Sequence, residues 1–228
     1  MYNKCMLWAT LFFTELIFLF YISKKLTKTI SFRIYQMTGS KKSATHLLAF
    51  LFLPGTTIHE ISHAITAMVL GVHVGKITLF PEIEGKYIKL GSVEIARTDM
   101  IRRFMIGTAP FFWGTTLLLS LLFFTEKYAL YTTPWIFLIV YGIFEIGNTM
   151  FSSKKDMEGA IKLLFIVVLG ISILYLLNIQ IRSEDIVTLL QHRDINRLFY
   201  QGCIYLMLPI MLDIILIGIL SFRSSRQR

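Results

Sequence analysis

Apolar residues run along this chain in blocks too long for the stripe of an amphipathic helix and too continuous for a strand with one wet face. Windows of about 18 to 25 residues with few charges predict helices that cross a bilayer. Six such windows lie near 5–22, 46–70, 101–124, 132–150, 159–178 and 199–221. Between the second and third windows the pattern changes. From Val74 to Phe80 and from Lys86 to Arg97, β-branched and alternating residues replace the apolar blocks, and Pro81-Glu82-Ile83-Glu84-Gly85 separates the two stretches as a turn. That segment predicts a β-hairpin. The expected fold is an all-α polytopic membrane protein of about six transmembrane helices, with a short hairpin after the second.

Composition adds to this reading without altering it. The 228 residues are 55% hydrophobic and 16% charged, with a mean hydropathy of +0.64. Most of the chain is then in the bilayer, so one integral-membrane domain over 1–228 is expected, with no separate soluble domain. Glu15 interrupts the first apolar block and no small-residue cleavage pattern follows it, so this block reads as a helix rather than a cleaved signal. The net charge of +9 comes from basic residues spread among the loops. They read as topology signals and anionic-lipid contacts, and no nucleic-acid partner is expected. Assigning loops alternately to the two sides gives 13 Lys and Arg on one and 10 on the other. That bias favours cytoplasmic termini, and a prokaryotic cell membrane is the expected location. Cys5 and Cys203 are far apart and suggest neither a disulfide framework nor a thiolate metal site.

Chemistry concentrates in the second window, where His59-Glu60-Ile61-Ser62-His63 forms an H-E-x-x-H pattern. Its flanks, Leu47 to Leu53 and Ala64 to Leu70, leave the motif no solvated face. An ionised side chain at the centre of a membrane helix costs about 2.5 to 3.5 kcal/mol on insertion scales, so three ionisable residues within five need a compensating role. Residues four apart share a helix face, so His59 and His63 can offer imidazole nitrogens to one zinc ion. Glu60, one residue round, is placed for the general-base work of zinc proteases. Thr56, Thr57 and Ser62 suit a wet lining, although hydroxyls in membrane helices often bond back to their own backbone.

A catalytic zinc normally has three protein ligands. His73, ten residues beyond His63, fits no shared helix face and reads as a loop residue. Glu82, Glu84 and Glu94 read as solvated charges near a turn. The stronger candidates lie between Asn148 and Gly159, where Asp156 is a carboxylate at an expected helix boundary, beside Lys154 and Lys155. Glu145 is the rival: it is an acid one helical turn before Asn148, able to ligate or to orient an imidazole. Glu15 and Asp213 are further intramembrane acids, without an assigned catalytic role.

Together, H-E-x-x-H on a membrane helix, Asn148 with Asp156 eight residues later, and the hairpin after the motif resemble the site-2 proteases, the intramembrane zinc metalloproteases. The resemblance covers about 46–160. It implies that Asp156 is the third zinc ligand, that Asn148 helps hold the substrate, and that the hairpin receives an extended substrate strand by edge pairing. Phe151 stands where the family has proline, and Asp156-Met157-Glu158-Gly159 replaces its Asp-Gly pair, as in a divergent branch. Gly107-Thr108-Ala109-Pro110 with Gly114 is similar to the family's Gly- and Pro-rich helix beside the site. The implied function is zinc-dependent hydrolysis of peptide bonds in or near transmembrane segments, with a transmembrane protein or peptide and the lipid bilayer as partners. Two other classes carry the same features: a catalytically silent membrane chaperone or scaffold of this fold, and a zinc or proton-coupled transporter. The intact Glu60 argues against the first, and the absence of an internal repeat against the second.

Overall fold

The computed structural model describes residues 2–79, 82–84, 87–89, 91–151, 169 and 193–225. The molecule is mostly helical. Among the described residues, six α-helices run in the order α1 (Tyr2–Thr38), α2 (Lys41–Leu51), α3 (Leu53–Val69), α4 (Met100–Lys127), α5 (Ile136–Thr149) and α6 (Arg193–Ser225), with four short strands between α3 and α4.

Three of these, over Leu7–Thr38, Met100–Lys127 and Ile195–Ser221, are long and apolar enough to cross a membrane. They contain the predicted windows 5–22, 101–124 and 199–221. The window 159–178 lies outside the described residues. The window 132–150 becomes a 3-10 turn at Leu130–Thr132 followed by a 14-residue helix, Ile136–Thr149, too short to count as a span. The six-span expectation therefore reduces to three spans among the described residues.

Two boundaries differ from expectation for identifiable reasons. The stretch expected as a basic loop after residue 22 continues α1 to Thr38, because Lys, Arg and Leu are good helix formers and no Gly or Pro intervenes before Gly39. Gly39 then stops the helix at φ 65°, its N–H bonding the Tyr35 carbonyl at 2.9 Å. The predicted single helix over 46–70 breaks at Phe52 into α2 and α3. Pro54 causes the break: it has no N–H to donate, and its ring would clash with the carbonyl four residues earlier. The same residue is well suited to the first turn of α3. At the other end, Gly71 at φ 69° and the Val72 N–H to the Ala67 carbonyl at 2.8 Å close α3 with a left-handed cap.

The hairpin forms in the predicted place with a different interior. β1 (Val74–Thr78) pairs antiparallel with β4 (Ser92–Ile95), Ile77 opposite Val93 and Thr78 opposite Ser92. Inside this pair, β2 (Glu82–Glu84) pairs with β3 (Tyr87–Lys89), so residues 82–84 of the expected turn are strand. A small cluster of Ala67, Val72 and Ile106, with Leu70, Val74 and Ile95 against it, fastens the base of the hairpin to α3 and α4. The main core is built from α1, α4, α5 and α6, where Phe12, Leu16, Leu19, Leu118, Ile143, Met150 and Leu206 interlock. Outward, Phe13, Ile17, Met211 and Ile215 are about half exposed. An apolar outer surface on long helices is what a lipid environment favours.

Candidate metal centre

The motif lies in the middle of α3, where α4, α5 and the hairpin converge. His59 Nδ1 is 2.6 Å from the Thr149 carbonyl oxygen at the end of α5, and His63 Nδ1 is 2.7 Å from the Ile106 carbonyl oxygen of α4. A carbonyl oxygen only accepts, so in each ring Nδ1 is the donor. The two rings are neighbours, with centroids 4.9 Å apart and planes at 78°. Two such imidazoles, each oriented by an outer acceptor, are two of the three protein donors that a catalytic zinc normally has. His59 and His63 fit the metal that the motif implies as two of its ligands.

Glu60 is 9% exposed and His63 5%, so the motif's acid and second imidazole are withdrawn from bulk solvent. The hairpin comes close to Glu60. A methyl group built on Gly91 would lie 3.0 Å from both Cγ and Oε1 of Glu60 and 3.3 Å from the Thr78 carbonyl. Gly91 immediately precedes β4, so the hairpin approaches the motif's acid closely at a position without a side chain, where a Cβ would require Glu60 or the Thr78 carbonyl to give way by a few tenths of an ångström.

Glu145 meets the start of the motif helix. Pro54 leaves the first turn of α3 with a free Gly55 N–H, which donates to Glu145 Oε2 at 2.9 Å. The carboxylate, 1% exposed, is thus a cap on the motif helix from across the α3/α5 contact. The imidazole-orienting work falls to main-chain carbonyls. Contact there is close: a Cβ at Gly55 would be 2.5 Å from Thr149 Oγ1 and 2.8 Å from the Glu145 carbonyl.

Asn148 faces the bundle interior. Its amide NH2 donates to the Phe144 carbonyl and to Asp213 Oδ1 of α6, both at 2.9 Å, while its main-chain carbonyl accepts from the Ser23 hydroxyl of α1 at 3.2 Å. Asn148 thereby joins α1, α5 and α6 one residue from the Thr149 carbonyl that holds His59. A substrate role as donor for its NH2 requires exchange of one of these two bonds.

Asp156, the expected third ligand, lies outside the described residues. Among the described residues no cluster of three His, Cys, Asp or Glu side chains is assembled. His73 is exposed in the loop before β1, as expected. Glu94 is exposed on β4, its carboxylate 3.4 Å from the Lys76 N–H. The Thr56, Thr57 and Ser62 hydroxyls turn back to donate to carbonyls of their own helix or its N-cap. Sequence reasoning missed Thr149, Ile106 and Gly91. The first two act through main-chain oxygens that every residue type has, and the third through the lack of a side chain.

Comparison of the chain with protein-family models, with curated proteins and with solved structures finds no match.

Proposed function

We propose that this chain is a zinc-dependent intramembrane endopeptidase of the site-2 protease type. The carrying observation is that both imidazoles of the H-E-x-x-H helix are held at Nδ1 by carbonyls of two other helices, with their ring centroids 4.9 Å apart. His59 and His63 would hold the zinc, with Asp156 as the third ligand by resemblance. When bound, zinc supplies Lewis acidity that makes water nucleophilic near neutral pH and polarises a carbonyl. Glu60 accepts the proton of the attacking water and returns it to the leaving amine nitrogen. Burial of Glu60 and His63 keeps bulk water away from this exchange. The hairpin beside Glu60 offers an edge on which an unwound substrate segment can be held in extended form.

Purified protein in proteoliposomes with a panel of single-span substrates, together with metal analysis, tests the reading. The expected result is one zinc per chain, lost in His59→Ala and His63→Ala, and cleavage that a chelator abolishes. Zinc retained at full affinity by Asp156→Ala would remove Asp156 from the ligand set. Zinc movement across the bilayer without any cleavage would make the chain a transporter.

A further inference from the structure

Away from the motif, the second half of α1 and the first half of α2 enclose an open groove of about 540 Å³. Phe32 and Leu48 give it apolar walls, and Lys28, Ser31, Tyr35 and Lys41 bring two ammonium groups and two hydroxyls to the same space. The charge around it is one-sided. From Leu16 to His59 the chain has six Lys and Arg and no Asp or Glu. Arg33 is engaged by Gln36 and the Leu220 carbonyl, and Lys24 lies over the Phe20 ring. Lys28 and Lys41 are exposed at the groove.

Depth gives the groove its surroundings. The apolar part of α1, Leu7–Thr38, has 32 residues, about 48 Å at 1.5 Å per residue, whereas the hydrocarbon layer is about 30 Å thick. Basic residues begin at Lys24. On that length the part of α1 before Lys24 suffices for the hydrocarbon, which would leave the part carrying Lys28 and Tyr35 at headgroup level.

We propose that this groove binds one anionic glycerophospholipid, its phosphate between Lys28 and Lys41 beside the Ser31 and Tyr35 hydroxyls, its acyl chains along Phe32 and Leu48. Two cations on a segment without acids select a net negative headgroup, since a zwitterionic lipid's ammonium finds no carboxylate partner on that segment. The apolar walls select a lipid over a free anion.

The test uses the full chain in nanodiscs containing phosphatidylglycerol and phosphatidylcholine in equal amounts, with retained lipid counted by native mass spectrometry after release. Wild type is expected to keep one phosphatidylglycerol in preference to phosphatidylcholine. Lys28→Gln with Lys41→Gln is expected to weaken that retention about thirtyfold, each charge contributing about fivefold near an anionic surface. Lys28→Arg with Lys41→Arg, which keeps both charges, is expected to hold the preference, as is Lys76→Gln on the distant hairpin. Ser31→Trp, which fills the groove and leaves both lysines, is expected to lose the lipid. Absence of a preference in wild type, its survival in the double Gln variant, or displacement of the lipid by inorganic phosphate overturns the proposal.

Discussion

At residue scale, the orientation of His59 and His63 rests on oxygens that side-chain substitution does not remove, whereas Glu60 depends on a side chain that is missing. Gly91 lets the hairpin approach the acid, and a larger residue there must push Glu60 or the Thr78 backbone aside. Gly91→Val is expected to lower cleavage about a hundredfold, the effect of misplacing a catalytic group by about 1 Å, while zinc binding stays intact. Equal cleavage rates for the variant and wild type, measured on a single-span substrate, would show that the close approach has no catalytic consequence. Asp99 is a second residue-scale case. It caps α4, its carboxylate accepting the Arg102 N–H at 3.0 Å, and this bond holds its pKa below the ordinary carboxylate value. A depressed folded pKa means that the cap is fully present above about pH 4, the unfolded value, and is lost as pH falls through the lower folded value. Hydrogen exchange of the Arg102 amide should therefore be protected at neutral pH, lose protection on acidification, and be unprotected throughout in Asp99→Ala. The histidine pair and Glu60 were legible in the sequence because their spacing is a helix period. The carbonyls of Thr149 and Ile106 were not, because acceptors common to every residue leave no pattern.

Among the elements, the start of α3 joins most of the fold to the site. Pro54 breaks the apolar block, Gly55 is left with an unpaired N–H, and Glu145 from α5 satisfies it. Glu145→Leu strands that buried N–H and is expected to lower unfolding free energy by about 1 to 3 kcal/mol in detergent, with Glu145→Gln costing less because its amide oxygen still accepts. Unchanged stability in the Leu variant, measured by reversible denaturation, would deny the cap its role. Gly55→Ala forces α3 and α5 apart at Thr149, whose carbonyl holds His59. It is expected to cost about 1 to 3 kcal/mol through overpacking and to weaken zinc binding as well. The break itself was written in the sequence as Pro54, yet a continuous apolar run from 46 to 70 concealed it. Glu145 was visible as an intramembrane acid needing a partner, but its partner is a main-chain N–H 90 residues away in sequence, which no local pattern encodes.

Across the whole molecule, the sequence was read correctly as mostly helical, with helices long and apolar enough to cross a membrane and a hairpin between α3 and α4. It overcounted spans among the described residues because hydropathy measures how apolar a block is, while helix length depends on breakers such as Pro54 and Pro134. It missed the continuity of α1 because lysines resemble a loop in a hydropathy window although they favour helix. Asp213, noted only as an intramembrane acid, is 1% exposed and bonded to Asn148, tying α6 to the end of α5 beside the His59 anchor. Zinc bound at a site shared by α3 and its neighbours should stabilise the entire bundle. Chelation is expected to lower the thermal midpoint in detergent, by mass action on the folded state, and His63→Ala is expected to remove that response. The account's central claim is peptide-bond hydrolysis with Glu60 as the base. Its most direct measurement is the mass spectrum of a cleaved single-span substrate after reaction with wild type and with Glu60→Gln, both carrying zinc. The account predicts one defined cut by wild type and a rate about a hundredfold to ten-thousandfold lower in the variant; an equal cleavage rate in zinc-loaded Glu60→Gln would contradict it.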